Sequence, residues 1–198
     1  FLEIYKKYGS FIHSDIDAIW LKNPLSYLKE CQGDLLFSQG TVFPKKMFIK
    51  FGFVACCGFF MIRESNSSLK FLNDLNQAIQ KEKDDQLSVN KILMKYYKSF
   101  NFKDNYKEKA NLPNGESCFI KCSNYPVSGN LKKVFNFNLT LLSNSKFSDD
   151  QKLSFALLPH KLFTRTKESI SSSTIIAHPL APKNNKEKII MFKELNIF

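Results

Sequence analysis

Apolar positions along this chain recur with two periods, and the switches between them outline its elements. Leu2, Ile4, Tyr5 and Tyr8 sit at helical spacing before Gly9, so residues 1–8 read as the end of an amphipathic helix. Residues 10–14 follow as a short strand that delivers Asp15. Beyond Pro24, LSYLKECQ has a helical pattern and DLLFSQ, residues 34–39, a strand pattern. The lysine-containing PKKMFIK reads as a loop leading into FGFVACCGFFMIR. That apolar run, interrupted by Gly58, predicts a buried strand with close backbone approach at the glycine. Leu69, Phe71, Leu72, Leu75 and Ile79 predict a helix over residues 67–80, capped by Asn66 or Ser67. Leu87, Val89, Ile92 and Leu93 predict another over 85–97, and its opening KDDQ puts acids where the helix dipole favours them.

The second half is less regular. Residues 101–133 turn to Asn, Lys, Gly and Pro and read as a long surface excursion, with 101–150 an insertion in a single domain spanning 1–198. A strand pair is expected around VFNFNLTLL and KLSFALL, then the β-rich STIIAHPLAPKNN and a closing helix, KEKIIMFKELNIF. Strands alternating with helices predict an α/β fold with a mainly parallel or mixed sheet, and no internal repeat or heptad interrupts that reading.

Composition narrows the picture. With 198 residues, 43% hydrophobic positions and twenty Phe, one ordinary core can form. No apolar run is long enough to span a bilayer. The net charge of +11 permits attraction to phosphates, anionic membranes or acidic polymers. Of the 29 cationic side chains, however, all but Arg63 and Arg165 are lysines, which suits a solvated surface better than base-specific reading of nucleic acid, and no nucleic-acid partner is expected. Cys31, Cys56, Cys57, Cys118 and Cys122 lack the spacing of a metal signature; they read as buried thiols, with a Cys118–Cys122 disulfide left open. The sequons at Asn66 and Asn138 would carry glycans only in a secretory lumen. The compartment itself is not readable: a Golgi or secretory lumen suits a eukaryotic source, the cytoplasm a viral or bacterial one.

The stretch HSDIDAIWLKNP, residues 13–24, sets Asp15 and Asp17 one residue apart in an apolar run. In an extended segment both carboxylates would face the same way and repel. A divalent cation with oxygen ligands would relieve that repulsion, and so would a solvated strand end; the spacing leaves both open.

Four landmarks stand in order along the chain: SDIDAIWLKNP, CCGFFMIRESNSS, KDDQLSVNKIL, and LLPHKLFTR followed by IIAHPLAPKNNKEKIIMFKEL. Together they resemble the nucleotide-diphospho-sugar transferase family, glycosyltransferases of the A-type fold related to plant arabinosyl- and xylosyltransferases. The first is similar to that family's D-x-D-x-x-W-x-x-x-P, and the second to its N-T-G-F strand ending in Arg. The third resembles its D-Q helix start, and the last its L-P-x-x-x-F and His-containing close. Cys56 stands where the family usually has Asn, and the usual Asn and Gly do not follow His178. A second DDQ at 149–151 competes with the one at 84–86, which Asn90 and an apolar helix favour.

The resemblance implies a glycosyltransferase A-type, Rossmann-like mixed sheet flanked by helices. Only fourteen residues precede Asp15, fewer than the roughly 60 that two βαβ units need, so part of the nucleoside-binding half is expected to be missing. It further implies metal-dependent transfer of a sugar, with retention, from a nucleotide-sugar donor, a UDP-sugar first among them, to a glycan or glycoprotein acceptor. Asp15, Asp17 and His178 would hold Mn²⁺ or Mg²⁺, and Asp85 and Gln86 would stand beside the reacting sugar. Gly58, Cys57, Lys186 and Lys188 would meet the donor, the two lysines helping to neutralise its diphosphate. Trp20 and Pro24 are expected as a core aromatic and a first-turn helix proline. Two rival classes stay in view. A haloacid-dehalogenase-like phosphatase also uses D-x-D but wants Thr or Val where Ile19 stands. A non-catalytic glycosyltransferase-like protein or basic binding module, for a glycan or RNA, would bind with strong salt dependence and no metal.

Overall fold

The longest apolar run of the sequence becomes the strand on which the fold is hung. The computed structural model describes residues 1–112, 115–131, 153–180 and 185–194. Strand β4, Val54–Ile62, is buried along its length except at Met61. Strands β1 (Phe11–Ser14) and β3 (Leu35–Gly40) flank it, both antiparallel to it. The sheet continues through β9 (Phe155–Leu157), β8 (Val127–Leu131) and β5 (Tyr97–Asn101) in the order β1-β4-β3-β9-β8-β5. Only β3 and β9 pair in parallel, so the sheet is mixed, as expected, but mainly antiparallel. A small second sheet joins β10 (Phe163–Thr164), β11 (Ile176–Ala177) and β2 (Ile19–Trp20).

Alternation along β3, β4 and β9 divides two cores. Leu35, Phe37, Phe60, Ile62, Phe155 and Leu157 face one way. They pack with Phe71, Leu72 and Leu75 of helix α4 (Asn66–Glu82) and with Val89, Ile92 and Leu93 of α5 (Asp85–Tyr96). The intervening Leu36, Phe59 and Ala156 face the other way, toward Leu28 of α2 (Leu25–Glu30) and toward Phe163 and Ile176. Burial on both faces explains why β4 reads as continuous apolar sequence rather than as an alternation. Phe37 stacks between Phe60 and Phe155, and truncating it to Ala is expected to cost about 3–5 kcal/mol.

Helix α1 (Leu2–Tyr8) ends at Gly9, whose φ of 70° suits glycine, as the pattern predicts. Several expectations change. PKKMFIK is not a loop: Lys45–Phe51 is helix α3, which buries Met47 and ends at the left-handed Gly52. Ser65 caps α4, its hydroxyl accepting from the Ser68 N–H, so the cap precedes both residues expected for it. Pro24 takes the N-cap position of α2, one residue before the first turn expected for it. Tyr97–Leu131 is no simple excursion. Strands β5 and β8 complete the main sheet, and between them β6 (Asn105–Asn111) and β7 (Ser117–Ser123) form an antiparallel hairpin. Its alternating exposed and half-buried residues hide the strands in polar sequence. Cys118 and Cys122 lie four residues apart on β7, a separation of roughly 13 Å along a strand, and both are free thiols, so they form no disulfide. KLSFALL supplies β9, whereas VFNFNLTLL, Asn138 and the second DDQ lie outside the described residues. The closing helix α6 is described over Asn185–Glu194. No helix among the described residues is long and apolar enough to cross a membrane.

Candidate functional site

Strand β4 bulges where the chemistry gathers. Phe37 pairs with Phe60 but Ser38 pairs with Cys56, so Cys57, Gly58 and Phe59 have no partners on β3. The Ser38 hydroxyl donates to the Phe59 carbonyl and so satisfies the bulge from inside. On the other edge, the Asp15 N–H donates to the Gly58 carbonyl at 2.8 Å, which fastens the end of β1 to the bulge. Bulges of this kind re-aim side chains next to functional sites.

Asp15 and Asp17 are not consecutive positions of a strand. The Ala18 N–H donates to the Asp15 carbonyl at 3.0 Å, closing a turn with Ile16 fully exposed at its tip. The turn, rather than strand alternation, brings the two carboxylates together. His178 arrives just past β11: its Nε2 lies 3.1 Å from an Asp17 oxygen and 4.0 Å from an Asp15 oxygen. One ligand atom from each of the three lies within 4.8 Å of the others. A Cβ at Gly58 would stand 1.9 Å from His178 Cε1 and 2.9 Å from Asp15 Oδ2, so the glycine makes room for the histidine ring. The backbone approach expected at Gly58 is therefore made by protein.

Nitrogen groups surround the carboxylates. Lys188, on α6, reaches Asp17 at 2.7 Å, and His13 Nε2 lies 3.1 Å from Asp15. The His13 hydrogen bond, opposed by partial burial, holds the Asp15 carboxyl below its usual range. The His178 hydrogen bond, with Lys188 added and burial opposing, holds Asp17 well below it. Burial and Arg165 press His178 downward, but Asp17 and Cys56 outweigh them, and its pKa is raised. Cys56 Sγ stands 3.9 Å from His178 Nδ1 and accepts from the Gly58 N–H. Burial works against its thiolate, yet Arg165 and His178 bring the thiol down to about 6. Sequence reasoning singled out Cys57, whose thiol instead packs in the main core; Cys56 is the cysteine at the site.

Helix α5 buttresses the same bulge. The Gln86 side chain accepts from the Cys57 N–H at 2.8 Å and donates to the Ala55 and Phe43 carbonyls. Asn90, one turn on and fully buried, accepts from the Ala55 N–H and donates to its carbonyl. Spaced i,i+4, the two amides replace a strand beside β4, where β1 no longer covers it. Asp84 caps α5 by accepting from the Leu87 N–H. Asp85 accepts from the Gln86 N–H. Burial, followed by the charges of Asp85, Cys56, Asp15 and Asp84, raises the Cys57 thiol well above its ordinary range, so the acids approach the bulge from both α5 and the Asp15 turn. Lys186 is exposed in the first turn of α6, two residues before Lys188, the lysine that reaches Asp17. Trp20, expected in the core, is 47% exposed and donates to Ser14 Oγ beside the turn.

Two carboxylate oxygens and one imidazole nitrogen make a donor set suited to Mn²⁺, with Mg²⁺ less suited to the nitrogen. Searches of curated proteins and of solved structures gave no match. The family model described as nucleotide-diphospho-sugar transferase matches residues 1–188, from the helix before the Asp15 turn through to Lys188, and the chain belongs to that family.

Proposed function

We propose that this protein is a metal-dependent glycosyltransferase that moves a sugar, with retention, from a UDP-sugar or related donor to a glycan or glycoprotein acceptor. The observation that supports this most is the convergence of Asp15, Asp17 and His178, the histidine 161 residues beyond Asp17, on a bulge that only glycine could line. These three residues would hold Mn²⁺ or Mg²⁺. Bound there, the ion supplies positive charge against which the nucleoside diphosphate leaves. Lys188 holds Asp17 in its ionised form and, with Lys186, brings further positive charge to the diphosphate. Asp85 stands on the α5 side of the bulge as the carboxylate facing the donor sugar, where it stabilises developing positive charge. Gln86 acts with it by fixing the Ala55–Cys57 backbone, since its amide is committed to three backbone partners.

Melting the protein with UDP, with and without Mn²⁺, tests the reading, because a ligand that binds the folded state raises its melting temperature. A Mn²⁺-dependent rise that Asp17→Asn abolishes is expected. Binding that is independent of metal and collapses with added salt would instead support a basic binding module.

A further inference from the structure

Trp20 is the sole tryptophan of the chain, and the fold leaves 47% of it in water. It is nevertheless held in place. Its indole N–H donates to Ser14 Oγ at 3.0 Å, and its ring stands edge to face with Phe59, the centroids 6.1 Å apart. Its backbone is paired in β2, opposite Ile176 of β11. Both side-chain partners adjoin the site, since Ser14 precedes Asp15 and Phe59 follows Gly58. The indole is thus fastened to the turn that carries the two carboxylates and to the bulge that receives His178.

An exposed apolar side chain is ordinary by itself and needs no function. Trp20 differs because its one polar atom is spent inward on Ser14, so what faces water is hydrocarbon ring held at a fixed angle. Covering Phe59 takes only part of the indole, and Phe59 is already packed with Leu36, Ala156, Phe163 and Ile176. Ile16, at the tip of the same turn, is fully exposed as well, so apolar surface accompanies the carboxylates.

We propose that Trp20 is the platform on which the sugar ring of the acceptor stacks, an assignment that rests on the donor-site reading above and adds the acceptor side to it. Transfer needs the acceptor hydroxyl about 3–3.5 Å from the anomeric carbon of the donor. That carbon is bonded to the diphosphate, which belongs at the Asp15, Asp17 and His178 cluster. The acceptor sugar therefore lies beside the carboxylate turn, where Trp20 stands. A pyranose offers a face of weakly positive C–H groups, which suits the negative face of an indole, and its hydroxyls stay free at the rim. The nucleoside base is the other flat ligand. Ribose and both phosphates separate it from the reacting carbon, so the ring beside the metal turn meets the acceptor rather than the base.

As the sole tryptophan, Trp20 reports its own contacts by fluorescence. The wild type, Trp20→Phe and Trp20→Leu are applied with Mn²⁺ and UDP to an array of immobilised neutral oligosaccharides. The saccharide retained most strongly is then titrated in solution by calorimetry, with melting curves of the ligand-free proteins alongside. The wild type is expected to retain a saccharide and to shift its emission to shorter wavelength as the sugar covers the ring. Affinity for that saccharide should fall about 10- to 100-fold in Trp20→Leu, which covers Phe59 without an aromatic face, and only about threefold in Trp20→Phe. Mn²⁺–UDP affinity should stay within about twofold in both. A Trp20→Leu protein that binds the saccharide as the wild type does overturns the proposal, whatever its melting temperature. A loss of Mn²⁺–UDP affinity in Trp20→Leu gives the ring to the base and overturns it too, as does a wild type that binds Mn²⁺–UDP but no saccharide. Saccharide binding with the emission shift but without Mn²⁺–UDP binding removes the donor-site reading and leaves the sugar platform standing. A wild type that binds neither removes both.

Discussion

Two clusters in this protein contain the same chemistry and put it to different use. At one, Asp15, Asp17 and His178 meet beside Cys56; at the other, Glu108 and His160 meet beside Cys122, and both bring three ligand-type atoms within 4.8 Å of one another. The second is saturated. His160 is fully buried, one ring nitrogen facing Glu108 and the other accepting from the Arg165 N–H, while Glu108 also takes the hydroxyls of Thr166 and Ser169. With Nε2 accepting, the proton sits on Nδ1, so neither ring nitrogen has a lone pair left for a metal. The first is open: Asp15 is 46% exposed. Residue types alone therefore do not make a site. A cluster whose bonds are all made holds structure together, and one whose bonds are left over is ready for a ligand.

The sharpest way to break the comparison is to remove one carboxylate from each cluster. Asp17→Asn should weaken Mn²⁺ binding more than about 100-fold, measured by calorimetry, because a ligand is lost outright where even supporting residues cost 10–100-fold. Glu108→Gln should leave Mn²⁺ affinity unchanged and instead destabilise the fold by about 2–4 kcal/mol in urea unfolding. It leaves the buried His160 and the hydroxyls of Thr166 and Ser169 poorly matched. Equal losses of metal affinity in the two variants would show that both clusters bind metal.

Acid separates them further. Burial opposes charge on Glu108, but His160, Ser169 and Thr166 overcome it and bring its carboxyl down to about 2. A depressed folded-state value means that the stabilisation is fully present above the unfolded value, near 4.5, and is lost as pH falls from there toward 2. The gap in stability between wild type and Glu108→Gln should therefore narrow across that window. At the first cluster the direction differs. His178 is raised above 6.5, and a protonated imidazole cannot ligate, so Mn²⁺ affinity should fall as pH drops through neutrality.

Much of this was legible in the sequence because a local pattern carried it. The turn acids, Gly58, and Gln86 with Asn90 announced themselves by spacing within a few residues. The β6–β7 hairpin did not, because its outward face is polar and its inward one small: among the described residues, Ala110, Ile120 and Cys122 form its buried apolar cluster. Helix α3 was hidden by its lysines, most of which stay in water while Met47 alone is buried. The second sheet was invisible for another reason: β10 and β11 are two-residue strands, which leave no periodicity to read.

The cysteines offer the smallest and most discriminating contrast. Cys56 faces His178 Nδ1, so with the ring proton there, donated to sulfur, Nε2 keeps its lone pair for the carboxylates' side. Cys122 lies instead in the small hairpin core, its thiol donating to the Ile120 carbonyl at 3.9 Å. Cys56→Ala should accordingly lower Mn²⁺ affinity by about tenfold, and Cys56→Ser, which keeps an acceptor, should restore most of it. Cys122→Ala should cost about 1 kcal/mol of stability and nothing in metal affinity. If Cys56→Ala binds Mn²⁺ as well as the wild type does, the orientation of His178 is set by Gly58 and Asp17 alone, and the sulfur is only packing.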